Sequence, residues 1–400
     1  MTDWQVYTLR DVLTAVDERV GAQDIELVLS VTEKRGILPQ TEVFNKRIAT
    51  TDVAKYKVLR PRDIAYNPYL LWTGAVGQWL GGEPGVTSPV YECFRVNPPH
   101  EPRFIGLLME SGLLTSYFDS TAVGSIQRRR RTTLPVFLAA EARLPDPDSQ
   151  RRTADLIGSL DAQIEALSAE TLRIAELHDA LREDLLAGHA EVELGTLLRG
   201  IEAGRSPSTN GEAPRDGEPG VLKVSAVSPL EFHPSEAKAL ADASIMSPDM
   251  EVKPGDILIT RANTPDRVGA VCRVAPDTRR GLYLSDKTLR LLPERGVDAD
   301  FLAEALNRRS VRAHLTGTAT GTSASMFNIT QPKIRATLVP SLSLDKQRQV
   351  TESLTSVRQV AVTLRAEWSR ARALRRVCLV SLLVGDVEIP ASYDPLLGAL

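Results

Sequence analysis

The 400-residue sequence has only three cysteines, Cys93, Cys272 and Cys378, far apart and without a CxxC pair. That excludes a Cys-rich structural zinc site and suits a chain kept in a reducing cytoplasm. No stretch approaches the roughly 20 apolar residues that a membrane helix needs. Met1-Thr2-Asp3-Trp4 carries an acid and no apolar run behind it, so no signal peptide is expected. The five histidines (100, 178, 189, 233 and 314) show no paired spacing with carboxylates or with a nucleophile. There is no Gly-rich phosphate loop, and no nuclease-like cluster of Asp, Glu and Lys, so no motif supports hydrolysis. Positive charge is not in excess either: the formal net charge is −3. Any nucleic-acid-binding face therefore has to be local. What remains is an ordinary 42 % hydrophobic, 25 % charged composition, long enough for two or three domains with cores of their own.

The chain repeats itself at an offset of 197 residues. Thr121-Ala122-Val123-Gly124-Ser125 aligns with Thr318-Ala319-Thr320-Gly321-Thr322, Phe104-Ile105 with Phe301-Leu302, Gln150-Arg151 with Gln347-Arg348, and Ser88 with Ser285. Upstream the offset drifts, as loops of different length require: Asp63-Ile64 pairs with Asp256-Ile257, and Gly74-Ala75-Val76 with Gly269-Ala270-Val271. Each half opens with a mixed region in which short β-branched runs, such as Ile257-Leu258-Ile259-Thr260, alternate with Gly and Pro clusters and short helical patterns. That mixture reads as α+β.

Each half closes with a long heptad segment. Ile157, Ile164, Thr171, His178 and Leu185 form one row of the first, with Leu160, Leu167, Ile174 and Leu181 in the other. The second carries Leu354, Ala361, Trp368, Arg375 and Leu382 beside Val357, Leu364, Ala371 and Cys378. It is blurred at Arg375 and has extra apolar residues at Val360 and Val362. Apolar rows over four heptads predict two helices, each near 60 Å at about 1.5 Å per residue, that pair as an antiparallel coiled coil. The expected division is 1–148, 149–189 (helix), 190–343, 344–385 (helix), and a tail over 386–400. The expected helix-pair interface is Ile157, Leu160, Ile164, Leu167, Ile174, Leu181, Leu354, Val357, Leu364 and Trp368.

This order of domain, long helix, domain, long helix resembles the specificity subunit of Type I restriction–modification systems. So do the domain endings at Thr121 and Thr318, the Gln-Arg pairs at the helix starts, and the run 256–263 with Val268-Gly269 and Leu284-Ser285-Asp286-Lys287. The first half departs from the pattern at its domain end, where Gln127 and four arginines replace the usual small and polar residues. The resemblance implies two target-recognition domains, each reading one half of a bipartite site in double-stranded DNA. The paired helices would set the gap and dock two methyltransferase (modification) subunits, joined by motor-nuclease (restriction) subunits. The chain itself would be non-catalytic and without cofactor, with S-adenosylmethionine, ATP and Mg held by partners. The class-distant alternative is a duplicated coiled-coil scaffold that binds only protein partners.

Several residues have the chemistry to contact DNA. Arg128, Arg129, Arg130 and Arg131 are the densest positive charge in the chain and suit phosphate contact, although a solvated surface run has the same composition. Arg261, Asn263, Thr264 and Arg267 follow a predicted strand, and Arg and Asn are the types that make bidentate contacts to guanine and adenine. Lys287, Ser323, Ser325, Asn328, Lys333 and Arg335, with Lys34 and Arg35 in the first half, are short donors or cations on predicted loops, a pattern equally at home in ordinary turns. Asn97-Pro98-Pro99-His100 superficially resembles the Asn-Pro-Pro-aromatic motif of amino-methyltransferases, but histidine replaces the aromatic and no cofactor loop lies upstream.

Overall fold

The computed structural model describes residues 4–44, 53–124, 130–209, 211–240, 242–323 and 326–397. The chain divides into two compact units, Met1–Ser168 with Ala366–Leu400, and Ala169–Arg365. Each unit thus holds one mixed domain together with part of both long helices.

The first unit is built on a four-stranded antiparallel sheet in the order Leu13–Val16, Glu92–Val96, Ile64–Tyr66, Val76–Gln78. The strands are short and mostly buried, so they read as apolar runs with little alternation. Helix Pro102–Glu110 packs on this sheet through Phe104, Ile105 and Leu108. Tyr66, Phe94 and Phe118 gather round Phe137, with ring centroids 4.3, 5.0 and 5.7 Å from it. Strand Gln5–Thr8 pairs separately with Glu141–Leu144 just before the first long helix.

The second unit repeats the plan. Its sheet runs Leu198–Ala203, Thr288–Pro293, Ile257–Thr260, Val271–Arg273, and Glu191–Glu193 pairs with Leu338–Pro340. The duplication reaches individual interactions. In the first unit Asp63 accepts from Arg95 at 3.0 Å; in the second Asp256 lies 2.8 Å from Arg290. The Gln-Arg pairs gain a physical reason. Gln150 accepts from the Glu101 N–H at 3.0 Å and donates to the Pro145 carbonyl at 2.8 Å; Gln347 does the same with Asp298 and Leu342, at 2.7 and 2.8 Å. Both side chains are nearly inaccessible, so in each unit a buried amide ties the start of a long helix to the start of a domain helix.

The long helices span Pro147–Leu185 and Leu344–Val384. The first begins two residues before the expected 149, because proline is accommodated in a first turn and Asp146 accepts from the Asp148 and Ser149 N–H groups. It ends before 189 because Gly188, at φ +71°, takes the left-handed conformation that terminates helices. Gly385, at φ +82°, closes the second. In the first unit the two helix segments run antiparallel, with Arg375 on Asp161 at 2.9 Å and Arg152 near Asp394. The blurred heptad position at Arg375 is therefore an ion pair across the helices. The heptad rows also serve the domains. Ile157, Leu379, Leu382 and Leu383 belong to the same core as Phe104 and Phe137. In the second unit Leu181, Val350 and Leu354 pack with Phe301 and Ala305. Leu364 is buried, and Leu160, Ile164, Leu167, Ile174, Val357 and Trp368 are half-buried. Among the described residues no helix is long and apolar enough to cross a membrane.

Candidate nucleic-acid interface

In the second unit the sequence-selected residues gather where strand Ile257–Thr260 leaves the sheet. Arg261 is fixed through its backbone: its N–H donates to the Lys287 carbonyl at 2.9 Å, and its carbonyl accepts from Ile329 at 2.8 Å. Asn263 pairs with Phe327, and Ala262 with Asn328, so Arg261, Asn263, Lys287 and Asn328 are brought together. The following turn closes on the Thr264 carbonyl, which accepts from Arg267 and Val268. Gly269 supplies the positive φ, and a side chain there would meet Leu315, Arg312 and Ile329. The Thr264 hydroxyl on the Asp266 carboxylate holds that group below the usual carboxylate range. Arg267 is exposed at the tip. Asn263 is 8 % exposed, and among the described residues its buried side-chain N–H2 has no acceptor, which is costly unless something else accepts from it.

Arg312, outside the sequence-selected set, holds this turn from beneath. Its guanidinium donates to the Val268 and Asp266 carbonyls at 2.9 and 3.1 Å, and burial lowers its pKa from the ordinary value. Its helical spacing is that of any surface arginine, so no pattern marks it.

Lys287 lies on the edge of a groove of about 370 Å³ whose lining includes Ser206, Thr209, Lys223, Ser225 and Lys238. Asp286 pairs with Lys287 at 3.1 Å and accepts from the Ser206 hydroxyl. Partial burial opposes its ionisation, but these hydrogen bonds prevail and keep the carboxyl below its usual range. Lys223 is 3.6 Å from Glu236, and Lys238 is exposed on strand Ala237–Ala239. Sequence reasoning missed Lys223 and Lys238 because they are isolated cations in the chain and neighbours only in the fold.

Lys333 and Arg335 have partners within the domain. The Lys333 ammonium donates to the Thr318 carbonyl at 2.6 Å, satisfying the end of helix Arg309–Thr318, and Arg335 packs against Gly195. Ser323 ends strand Thr320–Ser323. Ser325 lies outside the described residues.

In the first unit Lys34 and Arg35 sit exposed on the turn between strands Leu29–Val31 and Ile37–Pro39. The cavity they line, about 260 Å³, is shared with Glu110, Arg375 and Leu379, so the turn faces the C-terminal long helix. Burial pushes the Glu110 carboxyl up, against the backbone N–H of Gln78 at 3.0 Å. Arg128 and Arg129 lie outside the described residues. Arg130 is held by Asp119 at 2.8 Å and stacks on Trp72, 4.6 Å from the ring centroid, while Arg131 is exposed. Asn97 accepts from the Thr14 hydroxyl at 2.6 Å and donates to the Asp11 carbonyl at 3.2 Å, and His100 packs edge-on to Tyr7, so the Asn-Pro-Pro-His segment is part of the fold.

Comparison with known proteins gives two kinds of likeness. No family model matches the sequence. The chain is similar to the Type I restriction enzyme EcoEI specificity subunit of Escherichia coli, 28 % identical over 232 residues. That match takes in 56 % of this chain and only 39 % of that relative's length. Among solved structures, the S subunit of a Type I restriction–modification system from M. genitalium aligns with a TM-score of 0.57 over 96 % of both chains, at 11 % identity. A structure described as the basis of complex assembly and conformational transition of the type I R-M system aligns equally well, TM-score 0.57, over 97 % of this chain and 100 % of that one, at 14 % identity. At such identities the structural likeness concerns the fold alone. The chain is thus similar in sequence, over part of its length, to one Type I specificity subunit, and similar in fold, over nearly all of its length, to two chains from Type I systems.

Proposed function

We propose that this chain is the DNA-recognition subunit of a Type I restriction–modification complex in the cytoplasm, a non-catalytic reader of a two-part site. The observation that carries this is the contrast between scaffold and loop. Both units keep the same sheet, the same Asp–Arg pair and the same glutamine tie, while the exposed turns differ in length and chemistry. A protein selected only to bind partners through paired helices has no need of two such frames. Residues on rigid strands position phosphate contacts, and variable turns read base edges. In this reading Arg261, Asn263, Thr264, Arg267 and Asn328 face base edges, and the groove of Lys223, Lys238 and Lys287 follows a phosphate backbone.

Salt dependence tests the groove. Replacing Lys223, Lys238 and Lys287 with alanine in the assembled complex is expected to lower the slope of log affinity against log salt by up to about 0.9 for each phosphate that is no longer neutralised. Specific and nonspecific DNA should weaken alike. An unchanged slope removes the groove from the interface, and a wild-type complex that binds no DNA leaves the protein-only scaffold.

The modification subunits need a docking face on the helices. On the C-terminal helix Leu374, Val377, Val380 and Val384 are 53, 60, 41 and 43 % exposed, and at 100° per residue they lie within about 120° of arc. An apolar stripe of this kind on the outer side of a paired helix suits a methyltransferase subunit. Val377→Lys is expected to weaken co-assembly with that subunit roughly tenfold or more, with the melting temperature of the free chain unchanged. Undiminished co-purification would move the docking face elsewhere.

A further inference from the structure

The turn of the second unit that carries Arg261, Asn263 and Arg267 has a structural twin in the first. Strands Ile64–Tyr66 and Val76–Gln78 pair as Ile257–Thr260 and Val271–Arg273 do: Ile64 opposite Gln78 matches Ile257 opposite Arg273, and Tyr66 opposite Val76 matches Ile259 opposite Val271. Both turns open on the same bond, Asn67 N–H to the Ala75 carbonyl and Thr260 N–H to the Ala270 carbonyl. Both close on a left-handed glycine, Gly74 at φ +96° and Gly269 at φ +74°. Both are pinned by the residues just before the domain's last short helix (Leu134–Leu138 and Gln331–Arg335), Thr132 N–H to the Pro68 carbonyl and Ile329 N–H to the Arg261 carbonyl. The first turn is two residues shorter. Counted back from the glycine, Trp72 stands where the second unit has Arg267.

What the first turn presents is different chemistry. Tyr69 is 43 % exposed. Trp72 is half-buried, its indole N–H donating to the Tyr69 carbonyl at 2.9 Å, which fixes the ring. The Arg130 guanidinium lies over that ring and is anchored by Asp119, so its remaining donors are pre-aimed. Where the second unit offers Arg and Asn donors, the first offers an exposed tyrosine, a fixed indole and an arginine stacked on it.

We propose that Tyr69, Trp72 and Arg130 form the base-reading element of the first recognition domain, taking the groove edge of duplex DNA in one half-site. This rests on the reading of the chain as a two-part DNA reader. A planar guanidinium fixed by a ring and a carboxylate suits the paired acceptors of guanine, and the exposed tyrosine beside the half-buried indole suits the thymine methyl and the sugar wall. The Lys34–Arg35 turn, which faces the long helix, has no part in it.

The test uses the chain assembled with its modification subunits, and a DNA library in which both half-sites are randomised. Tyr69→Ala and Trp72→Ala are each expected to lower discrimination at one or two base pairs of the first half-site by about tenfold, with the second half-site unchanged. Arg130→Lys keeps the charge and the ion pair but loses the planar fork, and it should relax a guanine position in that half alone. The intact second half-site reports that each variant is folded and assembled. If the wild-type complex selects a two-part site and all three variants keep full first-half discrimination, this inference is wrong and the function stands. If the wild-type complex selects no sequence, both fall.

Discussion

Replacing Glu304 with alanine is expected to destabilise the second unit by about 1–3 kcal/mol, the cost of taking a buried carboxylate from the buried Arg182 guanidinium, which keeps only the half-exposed Asp179. Glu304 lies on helix Ala299–Leu306 and is 2 % exposed. Two guanidiniums and an imidazole approach it from the long helices, Arg358 at 3.5 Å, Arg182 at 3.6 Å and His178 at 3.4 Å, and Arg182 also pairs with Asp179 at 2.7 Å. His178 and Arg182 are themselves buried. The 197-residue offset explains why an acid is required here. Position 161 of the first unit corresponds to 358, and position 375 to 178. In the first unit those two sites are Asp161 and Arg375, which neutralise one another. In the second they are Arg358 and His178, with no acid between them to answer the Arg358 guanidinium, and Glu304 supplies one from the domain where the first unit has the apolar Leu107. Urea titration of the full chain measures the effect as a lower midpoint at unchanged slope. A cost below about 1 kcal/mol would show that solvent, and not Glu304, balances these cations.

The sequence displayed the duplication, the two long helices and the α+β character because each rests on a period or an offset that survives in one dimension. Ile157 and Leu354 were legible as heptad members, and they are buried. What they pack against was not legible: the same rows close the domain cores, since a helix beside both a partner and a globule offers one apolar face to each. Glu304 gave no signal, because the repeat predicts leucine at its place and the reason for an acid lies on two distant helices. His178 looked like a plain interface residue, and its partner became visible only in three dimensions. The candidate site divided in the same way. Arg261 and Asn263 were findable from residue type after a strand. Lys223, Lys238 and Arg312 were not, being neighbours only through the fold, and Lys333 carried the right chemistry while serving as a helix cap. Tyr69 and Trp72 were hidden for another reason: aromatic residues near a strand read as core until the paired turns are compared.

The central claim is that two separable readers sit on one helical frame, and a domain exchange tests it most directly. Residues 190–343 are replaced by the matching domain of a relative with Glu304 retained, the hybrid is expressed with its modification subunits, and methylated adenines are mapped across the host genome. Each base pair read by the grafted domain carries about 1–3 kcal/mol of discrimination, enough to rewrite a half-site completely. The second half of the methylated site is expected to change to that of the donor. The first half stays as in the wild type, and so does the gap, because both long helices are kept. A hybrid that folds and methylates but changes both halves together, or neither, would contradict it.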